Sequence, residues 1–247
     1  MSRMQRVRRS LAARLRASAR AARRAGPLLV LALLLVGIGV ALRVQHLGRP
    51  GAFAFDEHHF VENARRFLSR RHDANDHPAL GKLLMLPSMW LLGDRGMGWR
   101  GAQLVAGLAL IVLAGTLGAR LFRDRRAGWL AAAFVAADGL LVVYSRVALL
   151  DGFLGCFAML AVWLSVRARG PLGHAGAGAA IGAAAAIKVS GAALGLPALA
   201  LALRSRRPVL SALALGAAPV VFTAQGVLGR VISRESASPL NFWRSTL

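Results

Sequence analysis

A chain of 247 residues that is 56% hydrophobic and only 17% charged, with mean hydropathy +0.54, is too apolar for a water-soluble domain and too patterned for a disordered tail. Its 32 basic residues against 10 acidic ones give a net charge of +22. The basic residues cluster between apolar runs of membrane-crossing length, a pattern that encodes orientation in a bilayer and argues against a nucleic-acid partner. The single cysteine, Cys156, excludes an intrachain disulfide framework. The expected fold class is all-α: a polytopic membrane helix bundle.

In chain order, residues 1–26 read as a basic cytoplasmic amphipathic tail. Nine arginines and no acid fall in the first 24 residues, with Met4, Val7, Leu11, Leu15 and Ala19 at helical spacing. The basic region is too long for a cleaved signal peptide. A transmembrane core follows over 27–229. Its first span is 27–42, and the external loop 44–100 carries an amphipathic stretch at 61–71. The run 83–92, interrupted by Pro87 and Ser88, is too short to cross, so 79–93 reads as a helix lying at the membrane surface.

Further spans are predicted at 101–119, 127–145, 147–166 and 208–229. With the N-terminus inside, the Arg-dense loops 120–126, 167–169 and 204–207 all become cytoplasmic, in agreement with the positive-inside bias. Residues 175–203 must then cross an even number of times, as two short helices meeting near Lys188. One long tilted helix is the alternative, and it reverses everything after it. Seven crossings result, with 230–247 as an external tail. Gly- and Ala-rich segments at 175–195 and 211–218 invite close helix packing.

Under this map eight acids lie on the outer side or its boundary: Asp56, Glu57, Glu62, Asp73, Asp76, Asp94, Asp151 and Glu235. Adjacent carboxylates at Asp56 and Glu57 can supply a general base for a hydroxyl proton; a solvated acidic loop start is the plain alternative. His58, His59 and His77 lack the i,i+4 or HExxH spacing of a metal site, so no metal and no cofactor is expected. Ser145 to Gly152 places Arg146 and Asp151 at the same boundary. Lys188 interrupts an apolar stretch, which marks a site, a pairing partner or a snorkelling chain end. Asp138, mid-span, suits helix packing or an ion pair as well as catalysis. A carboxylate pair with cations near the lipid boundary, and no Walker or dinucleotide motif, fits transfer from a lipid-linked phosphate to a hydroxyl. A transporter using Asp138, Asp151 and Lys188 would predict inverted repeats, and none is visible.

At these residues the chain resembles the protein O-mannosyltransferase family, polyprenyl-phosphate-mannose-dependent enzymes of the GT-C membrane glycosyltransferase fold. Four motifs align in order. Phe55-Asp56-Glu57-His58-His59-Phe60 resembles the family's FDE-x-HF, and Asp76 to Lys82 its D-x-HPPLGK. Ser145 to Asp151 resembles its SR-x-x-LLD, and Lys188 to Gly191 its K-W-x-G. The similarity runs from about residue 27 to 229.

The resemblance implies Asp56 as catalytic base toward a Ser or Thr hydroxyl, with Glu57 beside it, and inversion without a covalent intermediate. It implies substrate-binding roles for His59, His77, Lys82, Arg100, Arg146, Asp151 and Lys188. Arg100, Arg146 and Lys188 belong to the lipid-phosphate side, and His77 and Lys82 shape the surface helix. The implied partners are a polyprenyl-phosphate sugar donor, a protein or glycan hydroxyl acceptor and membrane lipid, at an external site of the plasma membrane. Ala79 and Val189 replace a Pro and a Trp of the family pattern. Family members usually continue beyond the seventh span, so a fragment, a shortened relative, or a catalytically silent partner completed by a homologous subunit are expectations to set beside an active enzyme.

Overall fold

The computed structural model describes residues 26–71 and 77–233. The basic tail, Asp73, Asp76, Glu235 and all but the first residues of the 230–247 segment lie outside them. Among the described residues the chain is all helix and turn with no strand, an all-α polytopic membrane protein. Four helices are long and apolar enough to cross a bilayer: Gly26–Val44, Gly96–Leu121, Leu150–Arg167 and the Pro208–Ile232 run.

The helices are α1 (Gly26–Val44), α2 (Glu57–Leu68), α3 (Leu80–Leu83), α4 (Leu86–Leu92), α5 (Gly96–Leu121), α6 (Arg125–Ala137), α7 (Gly139–Tyr144), α8 (Leu150–Arg167), α9 (Pro171–Ile187), a 3-10 segment Val189–Leu194, α10 (Gly195–Leu203), α11 (Pro208–Ala214) and α12 (Ala217–Ser233). The amphipathic stretch begins earlier than the sequence suggests, at Glu57. It turns Phe60, Val61, Ala64 and Phe67 inward and Glu62 outward. The 79–93 stretch is two short helices, together shorter than a span. Ser88 ties α4 to α5 by donating to the Gly98 carbonyl at 2.7 Å, while Trp90 and Leu91 stay exposed, as suits an interfacial helix.

The expected span 127–145 is not one helix, a correction with a clear cause. Asp138 leaves the helical conformation (ψ 117°) and its carboxylate accepts from the Leu141 N–H at 2.8 Å, capping α7. Ending α6 there orphans its last carbonyls, which in an apolar setting is costly. Arg43 of α1, fully buried, satisfies them. It donates to the carbonyls of Val135 (2.9 Å) and Ala136 (2.7 Å), to Gly39 of its own helix (2.8 Å), and to Ser145 Oγ (3.1 Å).

A second break falls at Lys188, whose extended backbone (φ −141°, ψ 134°) ends α9. The chain then doubles back. Gly191 lies against the backbone of Ala184 and Ala185, and Ala198 of α10 shares an apolar cluster with Ala180 and Ile181 of α9 and Ala161 of α8. The two small-residue segments meet face to face: a Cβ on Gly178 would stand 2.7 Å from the Leu215 carbonyl oxygen, and one on Gly182 would overlap the Ala218 carbonyl. Gly182→Val is therefore expected to push α9 off α12 and cost about 1–3 kcal/mol. Thermal unfolding in detergent measures this, and Gly176→Val, at a position with open space, is the neutral comparison.

The main core lies at the end of the bundle that carries the first loop. Phe60, Val61 and Ala64 of α2 pack there with Met85, Met89, Trp99, Ala148, Leu149, Leu150, Phe153 and Ile187. This cluster brings the four sequence motifs to one end of the molecule.

Candidate functional site

Glu57, the first residue of α2, is fully buried, and Arg100 of α5 is 1% exposed. They form a two-pronged pair: Arg100 Nε donates to Glu57 Oε1 at 2.7 Å and Nη2 to Oε2 at 2.6 Å. Oε1 also accepts the Ala148 N–H and Oε2 the Ala54 N–H, both at 2.7 Å, so the carboxylate is saturated. Arg100 spends its other N–H groups on the carbonyls of Leu47, Pro50 and Ala52. Burial alone pushes the Glu57 carboxyl up. The Arg100 guanidinium and the two backbone N–H groups outweigh it and hold the carboxyl below the ordinary carboxylate range. The pair clamps three segments together: the 47–54 loop, α5, and the 145–148 turn.

Asp56 is different. It occupies the N-cap position of α2 without capping it and is half-buried; its carbonyl accepts the His59 N–H at 3.1 Å, while its carboxylate makes no hydrogen bond or ion pair among the described residues. Phe55 before it has φ 52°, a strained value for an aromatic residue, and is 80% exposed. Of the adjacent acids, one is locked and the other is open.

The 145–148 turn leads directly into α8, where Asp151 accepts from Lys188 Nζ at 2.7 Å; both side chains are part-exposed. Gly81 of α3 fits beside them, its missing Cβ lying 2.6 Å from Leu150 and 3.3 Å from Ile187. Lys82, fully buried, donates to the His77 carbonyl at 2.6 Å, and the His77 ring lies 5.9 Å from that of Phe60. His59 is exposed and its ring lies 3.6 Å from that of His58. Arg146 donates to the Leu42 carbonyl at the end of α1. Among the described residues no cluster of His, Cys, Asp and Glu could hold a metal ion.

The structure thus brings Glu57, Arg100, Lys82, Asp151 and Lys188 around one core. It turns Arg100 toward Glu57 and the loop carbonyls, where no N–H remains for a lipid phosphate. Three residues escaped the sequence reading. Arg43 looked like a span boundary. Gln103 of α5 donates to the Leu149 carbonyl, and Gln225 of α12 accepts the Ala79 N–H at 2.7 Å. Each glutamine is an isolated amide within an apolar run, which was the available signal.

Comparison with known proteins gives the family. The family profile described as dolichyl-phosphate-mannose-protein mannosyltransferase matches residues 76–225, a shorter stretch than the motif similarity and one that begins after Asp56 and Glu57. A polyprenol-phosphate-mannose–protein mannosyltransferase of Mycolicibacterium smegmatis is 33% identical over 138 residues, 52% of this chain and 27% of the relative. The protein of that name from Mycobacterium tuberculosis is 32% identical over 128 residues, 49% of this chain and 24% of its own length. One from Corynebacterium glutamicum is 33% identical over 91 residues, 37% and 18% respectively. The matched stretch thus spans about a quarter or less of these relatives. No solved structure matches the chain. With the profile covering more than half of its residues, the chain belongs to the dolichyl-phosphate-mannose-protein mannosyltransferase family.

Proposed function

We propose that the chain transfers mannose from a polyprenyl-phosphate donor to a Ser or Thr hydroxyl of protein, at the external face of the plasma membrane, with its N-terminus cytoplasmic. Asp56 takes the hydroxyl proton as the acceptor oxygen attacks the anomeric carbon; the bond from that carbon to the phosphate oxygen breaks, and the lipid phosphate leaves. One displacement inverts the anomeric centre. The observation that carries this reading is the contrast between the two acids. A base must keep a free lone pair for its proton, and among the described residues Asp56 is the carboxylate without a partner, next to a saturated neighbour. The names of the relatives supply the donor and the acceptor class.

In this account Glu57 and Arg100 build the loop and do not touch substrate. Lys188, part-exposed and held by Asp151, is the cation placed to turn to the departing phosphate; Arg146 also faces the boundary. His59, His77 and Lys82 border the acceptor side. The test is transfer of labelled mannose by membranes containing the chain, given polyprenyl-phosphate mannose and a Thr-bearing peptide. Labelled peptide is expected, and its absence from well-inserted protein would refute the assignment. Lys188→Ala should raise the donor KM by about tenfold or more, the loss of one charge-assisted hydrogen bond. An unchanged donor KM would make the residue a packing element.

A further inference from the structure

The opposite end of the bundle holds a second feature. Arg100 and Arg120 lie on the same helix, α5, 20 positions apart (100 to 120), which is about 30 Å at ~1.5 Å per residue, the thickness of a bilayer's hydrocarbon core. At the Arg120 end an open cavity of about 770 Å³ is lined by Thr116, Ala119, Arg120, Leu121, Arg123, Val166 and Arg169. Its three arginines come from the last turn of α5 (Arg120), the α5 to α6 turn (Arg123) and the α8 to α9 turn (Arg169). None of the three side chains makes an ion pair or hydrogen bond among the described residues. The nearest acid in sequence, Asp124, is turned to the Arg126 N–H at 2.9 Å, where it caps α6. Behind the wall, Arg167 stacks on Trp163 at 4.4 Å, and Trp163 Nε1 donates to the lining residue Thr116 at Oγ1, 2.9 Å away.

Three guanidiniums around one concavity, unpaired among the described residues, repel one another unless an anion joins them, and a phosphate is the anion whose oxygens match their forked donors. The lining residue Leu121 is 55% exposed and its neighbour in the chain, Phe122, 75%, so the α5 end beside the cavity offers apolar surface. A free phosphate has no use for that surface, whereas an acyl chain does. We propose that this cavity binds the phosphate headgroup of an anionic phospholipid from the leaflet opposite the Asp56 loop, with its acyl chain along Leu121 and Phe122. The lipid neutralises the turn cluster and pins the α5–α6 and α8–α9 turns together.

The test uses the full chain in detergent containing equal amounts of phosphatidylglycerol and phosphatidylcholine, with retained lipid counted by native mass spectrometry. At about fivefold per arginine, three give a preference for phosphatidylglycerol on the order of 100-fold. The triple variant Arg120→Gln, Arg123→Gln, Arg169→Gln should lose it. A control removing the same charge from another turn, Arg204→Gln, Arg206→Gln, Arg207→Gln, should keep it. Equal retention of the two lipids by the parent chain would overturn the proposal whether or not the variants fold, as would equal loss in the control. Inorganic phosphate raising the melting temperature as much as phosphatidylglycerol at matched concentration would overturn the lipid assignment.

Discussion

Asp56→Asn is expected to lower mannosyl transfer by about 10²–10⁴-fold, the usual contribution of a positioned general base, while membrane insertion and melting temperature stay within error of the parent. The amide has the size of the carboxylate, and the Asp56 side chain forms no cap, ion pair or hydrogen bond among the described residues whose loss would disturb the fold. The effect should fall on kcat, because a base acts in the transition state and adds little to binding. Initial rates at saturating donor and peptide measure it. A variant that turns over at the parental rate would remove Asp56 from the mechanism and leave the loop without a base.

Arg100→Met is expected to be the most destabilising single change, by about 3–5 kcal/mol, because it strands the buried Glu57 carboxylate. The double change Glu57→Gln with Arg100→Met should recover only part of this. The carbonyls of Leu47, Pro50 and Ala52 lose their donor in both variants. Thermal or denaturant unfolding in detergent reads the difference, and a silent Arg100→Met would show that the pair does not hold the loop.

The same pair sets an acid limit. Glu57 is held below the ordinary carboxylate range when folded, so its stabilising contribution is complete above that range. It is lost as pH falls through the lower folded-state value, beneath the ordinary range of a free glutamate. A melting temperature that falls steeply there in the parent, and less in Glu57→Gln, is the expected outcome.

How far the sequence could be read depends on the kind of interaction. The apolar runs and their Arg fences made the helix bundle legible, because hydrocarbon thickness sets span length and charge sets boundaries. Lys188 as a helix break and the close approach at Gly178 and Gly182 were legible from the same logic. Asp138 before Gly139 carried a readable N-cap signal inside a run that otherwise looked continuous. Arg43 was not legible: its four hydrogen bonds reach carbonyls and a hydroxyl contributed by residues up to 102 positions away, and a cation at the end of an apolar run reads first as a boundary.

In the site, the motif residues were found by type, but their division of labour was not. Consecutive residues at a helix start point about 100° apart, so one of Asp56 and Glu57 had to turn inward. Only the fold reveals that Arg100 and the Ala148 N–H wait for Glu57. For Arg100 the same geometry replaces an expected phosphate contact with a structural one.

The account stands on one open carboxylate driving one displacement. The most direct measurement is the anomeric configuration of the mannosyl peptide made by the parent chain, read by NMR against that of the polyprenyl-phosphate donor. Opposite configurations are predicted. A product that keeps the donor's configuration would mean two displacements through a sugar carried on the protein, and would contradict Asp56 as a base.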